Sequence, residues 1–254
     1  MTVAESIQQA AAWLAAGSRV VVLSGAGISK ESGVPTFRDA QEGLWARYDP
    51  SELASPQAFR RDPALVWRWY AWRRELVAGA APNAGHHALV RLAELLPHVA
   101  VITQNVDGLH QAAGSRDVLE LHGSLWRFKC FDHEHPVASD VLAEDERIPP
   151  HCPTCRALVR PDVVWFGEQL DPAILRRAWD EAGRAEVLLA VGTSGVVQPA
   201  ASLPLVAAEA GARTIEINPD HTPLTPYLDL HLAGPAGVVL PALVAVVEAY
   251  VAPA

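Results

Sequence analysis

The chain has 254 residues, half of them hydrophobic, and a formal net charge of −9, a length that suits one large α/β domain with a smaller domain inserted into it. The acidic balance, with a pI near 5.5, excludes nucleic acid as the expected partner, because a surface that follows a phosphate backbone calls for a basic stripe. No run approaches the ~18 or more apolar residues of a membrane span and the Ala-rich start lacks the basic flank and long apolar core of a secretory signal, so a cytoplasmic protein with no membrane partner is expected.

In chain order, residues 5–16 predict a first helix. Arg19-Val-Val-Val-Leu23 is a β-branched run ending in Ser24-Gly25-Ala26-Gly27-Ile28, the pattern of a buried parallel strand entering a glycine turn. Asp62 and Pro63 open a further helix as N-cap and first-turn proline, and Gly79 ends it. Strands are predicted at 99–103, 118–121, 186–191 and 213–217, with helical patterns between most of them. Such alternation predicts an α/β fold with a Rossmann-like, doubly wound parallel sheet, whose ligands bind at the carboxyl ends of the strands. Gly25, Gln104, His122, Gly192 and Asn218 all fall there. Two segments break the alternation: 37–85 is helical and Trp-rich, and 124–162 is polar, Cys/His-bearing and Pro-punctuated. Both are assigned to an inserted small domain, leaving 1–36, 86–123 and 163–254 to the sheet domain.

The turn Gly25-Ala26-Gly27-Ile28 allows close backbone approach to a dinucleotide pyrophosphate, with a following helix N-terminus to favour negative charge. Alone it equally describes an ordinary tight turn. The continuation, Ser29-Lys-Glu-Ser-Gly33-Val-Pro-Thr-Phe37-Arg38, resembles the cofactor loop of the sirtuins nearly letter for letter. Four more blocks resemble that family in its own order: Thr103-Gln-Asn-Val-Asp-Gly-Leu-His110, Leu121-His-Gly-Ser124, Val163-Val-Trp-Phe-Gly-Glu168 and Gly192-Thr-Ser194.

The resemblance implies an NAD-consuming protein-lysine deacylase whose partners are acyl-lysine proteins. It implies that Phe37 and Arg38 join the glycine turn in the cofactor site, that Gln104, Asn105 and Asp107 line the nicotinamide-ribose pocket, and that Gly192, Thr193, Ser194, Asn218 and Ala236 hold the adenosine half. His122, at a strand end, becomes the general base that deprotonates a ribose hydroxyl, a task suited to a neutral imidazole. The products are nicotinamide, free lysine and O-acyl-ADP-ribose. Peptide is expected to pair by backbone with the segment carrying Val164, Phe166, Gly167 and Glu168, a mode that reads little sequence.

Cys152 and Cys155 form a two-residue-spaced pair, and Cys130 with His133 forms a second one about twenty residues earlier. Pairs of this kind on turns hold a tetrahedral structural zinc. Sirtuins usually show four Cys here, so this chain departs from the family. His133 is assigned as the fourth ligand, with His135 and His151 as alternatives.

Tyr70 and Arg73 lie three apart on the helix opened by Pro63 and therefore on one face, presenting a phenol and a guanidinium together. Tyr70-Ala-Trp-Arg73 is similar to the Tyr-x-x-Arg of the sirtuin subgroup that acts on succinyl- and malonyl-lysine, and Ala54 is similar to the small residue that widens its acyl pocket. A planar guanidinium suits that task because it pairs a carboxylate with two hydrogen bonds.

Two readings of other classes compete. A redox dehydrogenase needs an acidic residue about 20 positions after the glycines, at the end of a second strand, and no strand is predicted around 45–49. A non-catalytic zinc-bearing module would not need His122, Asn105 and Asp107. The nearer alternative is a plain deacetylase in which Tyr70 and Arg73 are structural.

Overall fold

The computed structural model describes residues 2–36, 49–143 and 147–252. Helix α1 (Val3–Ala16) leads into β1 (Val20–Ser24) and a 3₁₀ turn at Ala26–Ser32. Among the described residues, four helices follow: α2 (Pro50–Leu53), α3 (Pro56–Arg61), α4 (Pro63–Ala78) and α5 (Ala84–Leu95). Next come β2 (Val99–Thr103), α6 (Leu109–Ala113), β3 (Val118–Glu120), β4 (Gly123–Cys130), β5 (Pro136–Val137), α7 (Ser139–Ala143) and β6 (Val159–Val163). The chain continues through α8 (Pro172–Gly183), β7 (Val187–Val191), α9 (Leu203–Glu209), β8 (Arg213–Asn218), β9 (Leu230–Ala233) and α10 (Ala236–Val251).

Six strands form one parallel sheet in the order β3-β2-β1-β7-β8-β9. Chain direction across the sheet reverses at β1, the doubly wound arrangement that opens a crevice beyond the carboxyl ends of its central strands. Every residue of β1 and β7 is buried, as expected where helices cover both faces. Alternation divides them between two cores. Val20 and Val22 join Leu14, Leu89 and Leu240 beneath α1, α5 and α10, while Val21 and Leu23 join Ala178, Ala182 and Leu203 beneath α8 and α9. Alanine contributes to both, as Ala10, Ala11 and Ala88 in the first and Ala178, Ala182 and Ala207 in the second, where small side chains let helices lie close to the sheet.

Helix α4 begins and ends where its signals predict: the Asp62 carboxylate accepts the Leu65 N–H at 2.9 Å, Pro63 occupies the first turn and Gly79 follows the last residue. Its buried face is Val66, Trp69, Tyr70, Arg73 and Val77. It packs with Phe59, Leu125, Val163 and Trp165 into a third core.

A second sheet, β5-β4-β6, is antiparallel. It lies within the segment whose sequence reads as polar and Pro-punctuated. The strands hide from a hydrophobicity pattern because their inner face is built from Cys130, Val137 and Val159 around Cys152, with Phe128 and Trp67 packed alongside. The edge strand β9 also escapes the pattern, since only Leu230 and Leu232 of its four residues are buried.

Candidate active site

At the carboxyl ends of β1 and β7 the two turns interlock. A Cβ on Gly25 would lie 2.8 Å from the Gly192 carbonyl oxygen, and one on Gly27 would lie 2.7 Å from the Gly192 Cα. Glycine is therefore demanded by the neighbouring turn itself, before any ligand is considered. The Gly27 N–H donates to the Gly192 carbonyl at 2.8 Å. Ala26 and Ile28 continue in a short 3₁₀ turn, where the sequence predicts an ordinary helix; Ile28 is fully buried. Phe37 and Arg38 lie outside the described residues.

The polar residues after β2 meet these turns. Gln104 Nε2 donates to Thr193 Oγ1 at 2.9 Å, and Asn218 Nδ2 donates to the Thr193 carbonyl at 2.8 Å, which ties the ends of β2, β7 and β8 together. Asn105 Nδ2 donates to the Gly25 carbonyl and to Ser29 Oγ, both at 3.1 Å. Ser29 Oγ in turn donates to Asp107 Oδ2 at 2.7 Å, and the Leu109 N–H donates to Oδ1 at 2.9 Å. Burial pushes the Asp107 carboxyl up, and these two bonds to its anion oppose that shift. Ser29 is thus the joint between Asn105 and Asp107. It sits inside the glycine block, yet no sequence spacing announces the role. Trp126 of β4 adds a second brace, its indole N–H donating to the Asp107 carbonyl at 2.7 Å. Ser194 is half-buried beside Thr193, and Ala236 is buried as the first residue of α10.

His122 follows β3 by two residues and precedes Gly123, which has φ +78° and whose Cβ would fall 2.0 Å from the Asp162 carbonyl oxygen. His122 is therefore delivered at a turn that only glycine can complete. Its Nδ1 lies 3.0 Å from the Gln104 carbonyl oxygen. A carbonyl only accepts, so Nδ1 carries the hydrogen and Nε2 keeps its lone pair. Burial pulls the imidazole below its ordinary pKa, opposed by the bond to Gln104. The ring is neutral at pH 7, the state a general base requires.

The Val164 N–H donates to the His122 carbonyl and the Phe166 N–H to the Ala54 carbonyl, both at 2.9 Å. The segment after β6 is thereby strung between the His122 turn and the buried Ala54. Phe166 is exposed, and Gly167 takes a positive φ in the turn that follows. Glu168 faces inward to Arg160: Arg160 Nη2 donates to Oε2 at 2.9 Å, and the Trp165 N–H donates to the same oxygen at 2.8 Å. Burial would raise the Glu168 carboxyl, but these bonds overcome it and hold it below the usual range. Arg160 is itself buried and lies 3.2 Å from the centre of the Trp165 ring. Sequence reasoning does not single out Arg160.

Tyr70 and Arg73 do share the inner face of α4 and are both buried, at 1% and 8% exposure. Tyr70 accepts the Trp165 indole N–H at 2.9 Å. Burial raises its pKa above the ordinary value, against the pull of Arg73, so the phenol stays protonated. Arg73 lies 5.3 Å from the centre of the Trp69 ring. Its pKa is lowered by burial, with Tyr70 and Asp107 opposing the shift; a guanidinium remains cationic at neutral pH even so.

The metal-ligating group differs from expectation in one member. Cys130, His135, Cys152 and Cys155 place their ligand atoms within 4.8 Å of one another, a Cys3His set of the kind that holds structural zinc. His133 is not among them. The reason is strand register: Lys129 pairs with Pro136 across β4 and β5, and the Cys130 N–H donates to the His135 carbonyl at 2.8 Å. Cys130 and His135 therefore face each other across the hairpin, while His133 occupies its exposed tip. His151, the other alternative, is in an isolated bridge with Leu158 and outside the cluster.

Residues 25–199 match the model of the Sir2 family. The chain is 54% identical over 231 residues to the NAD-dependent protein deacylase 2 of Pyrobaculum aerophilum, covering 91% of this chain and 92% of that one. It is 51% identical over 236 residues to the NAD-dependent protein deacylase 1 of Pseudomonas aeruginosa, covering 91% and 94%. Among solved structures, a Sir2 homologue in complex with NAD superposes with a TM-score of 0.90 at 49% identity, covering 96% of this chain and 95% of that one. A Sir2 protein bound to a myristoylated histone peptide superposes at 0.78 with 37% identity, covering 97% and 98%. The chain belongs to the Sir2 family.

Proposed function

We propose that this protein is an NAD-dependent protein-lysine deacylase, that it removes succinyl and malonyl groups as well as acetyl, and that it works in a reducing, cytoplasmic setting. The observation that carries the acyl preference is the burial of Tyr70 and Arg73 together on the inner face of α4. A buried guanidinium beside a protonated phenol is a poor choice for filling a core and a good one for receiving a carboxylate, whose desolvation otherwise costs several kcal/mol. Relatives named as NAD-dependent protein deacylases support the reaction. Neighbours bound to NAD and to an acylated histone peptide support its two substrates.

We take the six-stranded sheet and its helices as the cofactor side, and 37–85 with 124–162 as the smaller domain. When bound, NAD supplies the ribose carbon that takes the acyl oxygen as nicotinamide leaves. Gly25, Ala26, Gly27 and Ile28 would border its phosphates, and the resemblance adds Phe37 and Arg38 to the cofactor-binding residues. Gln104, Asn105 and Asp107 would hold the nicotinamide ribose, with Gly192, Thr193, Ser194, Asn218 and Ala236 on the adenosine side. His122, with its free Nε2, takes the proton from the ribose hydroxyl. Backbone groups of Val164, Phe166 and Gly167 pair with the peptide, and Glu168 supports that segment through Arg160. The Cys3His group would hold zinc away from the chemistry as a clamp on the small sheet.

The test is nicotinamide release from NAD with matched acetyl-, malonyl-, succinyl- and glutaryl-lysine peptides. Turnover on the acidic peptides comparable to or above that on acetyl is expected. Activity on acetyl alone would make the protein a plain deacetylase with Tyr70 and Arg73 structural.

A further inference from the structure

Between the peptide-side segment and the acyl pocket runs a chain of contacts from the half-buried Glu168 through the buried Arg160 and Trp165 to Tyr70. Its last link has a direction. The Trp165 indole can only donate, so the 2.9 Å contact makes the Tyr70 oxygen the acceptor. A phenol that has accepted one hydrogen bond still carries its own hydrogen and satisfies it on another acceptor. The indole cannot readily turn away. Arg160 lies 3.2 Å from the ring centre, the backbone N–H of Trp165 is bound to Glu168 at 2.8 Å, and the Phe59 ring centre lies 5.3 Å from its own. Trp165 is 1% exposed.

We infer that Trp165 is a specificity-determining, positioning residue for acidic acyl groups: by occupying the acceptor side of the Tyr70 oxygen, it leaves the phenol hydrogen to be given to an acyl carboxylate beside Arg73. Without the indole N–H the phenol is free to turn its hydrogen elsewhere, and its oxygen lone pairs then face the carboxylate unfavourably. An acetyl group has no carboxylate and gains nothing from the arrangement. The inference rests on the acidic-acyl reading above and adds to it a residue outside the Tyr-x-x-Arg pair.

The experiment is a double-mutant cycle with Trp165→Phe and Tyr70→Phe, reading kcat/KM on matched succinyl and acetyl peptides. In Trp165→Phe the succinyl-to-acetyl ratio is expected to fall about fivefold, the effect of one neutral hydrogen bond. In the Tyr70→Phe background the same substitution is expected to leave the ratio within about twofold, because the two residues act through one contact. An equal loss on both peptides, or an undiminished effect of Trp165→Phe without the Tyr70 hydroxyl, overturns the inference while leaving the acidic-acyl reading standing. A wild-type enzyme inactive on succinyl peptide overturns both.

Because Trp165→Phe opens space in a packed core, a second measurement uses the intact enzyme labelled with ¹⁵N at tryptophan. The indole signal absent from Trp165→Phe identifies Trp165. Because every peptide, on the reading above, pairs with the flanking Val164 and Phe166, that signal is expected to move with both peptides, and substantially further with succinyl than with acetyl peptide. Equal displacement by both peptides overturns the inference.

Discussion

His122 owes its chemistry to two backbone contacts more than to its own identity. The Gln104 carbonyl selects the tautomer, and Gly123 permits the turn that delivers the ring. His122→Ala removes the proposed base and no large part of the core, so deacylation is expected to be lost with the melting temperature little changed; near-normal turnover would take His122 out of the mechanism. Arg73 makes the opposite case, a charge in an otherwise apolar layer. Arg73→Met keeps much of the volume and removes the cation. If Arg73 pairs the acyl carboxylate as proposed, losing a buried charge pair worth about 3 kcal/mol is expected to lower kcat/KM on succinyl peptide by ~100-fold or more. Acetyl turnover should fall far less. Equal losses on the two peptides would show the guanidinium to be structural.

The hairpin β4–β5 illustrates how an element assigns a residue's task. In the sequence, His133 has the attractive short spacing from Cys130. In the structure, cross-strand register brings His135 opposite Cys130 and leaves His133 at the tip. One zinc per chain is expected by metal analysis, lost or greatly reduced in His135→Ala and retained in His133→Ala. The small sheet has few apolar residues of its own, so chelation should lower its thermal stability, as in other domains whose folding is coupled to metal. Full metal content in His135→Ala would return the fourth ligand to another histidine.

Two histidines of the molecule's interior tie the stability of the whole fold to pH. His86 and His110 are fully buried, with ring centres 5.0 Å apart, and His110 Nε2 lies 2.8 Å from Ser24 Oγ. Burial, reinforced by the neighbouring histidines His87 and His86 respectively, pulls His86 down to about 4 and His110 down to about 3. Both folded values lie below the unfolded one of about 6.5, so the unfolded chain binds more protons throughout that interval. The stability they contribute is complete above about pH 6.5 and is lost as the pH falls toward 4 and then 3, by about 3 kcal/mol for His86 alone. Asp107, whose carboxyl is raised, contributes with the opposite sign and offsets a part. The melting temperature is expected to fall steadily between pH 7 and pH 5, above the range in which ordinary carboxylates titrate. A flat profile over that interval would show that these rings are hydrated or already paired as cations.

The sequence by itself determined the class of fold, the central strands, the limits of α4 and the strand-end positions of Gly25, Gln104, His122, Gly192 and Asn218. These depend on local signals: apolar runs for strands covered on both faces, an N-cap with a first-turn proline, glycines at turns. The tertiary structure alone decided that Gly25 and Gly27 are glycine because Gly192 lies against them, and that Ser29 joins Asn105 to Asp107. It alone decided that His135 stands where His133 is expected, and that Trp165 and Arg160 reach Tyr70 and Glu168. The physical reason is common to all four. Each depends on which residues strand register and helix packing bring within a hydrogen bond or a van der Waals radius, and for most of them the partners lie far apart in the chain, where no local pattern records the meeting.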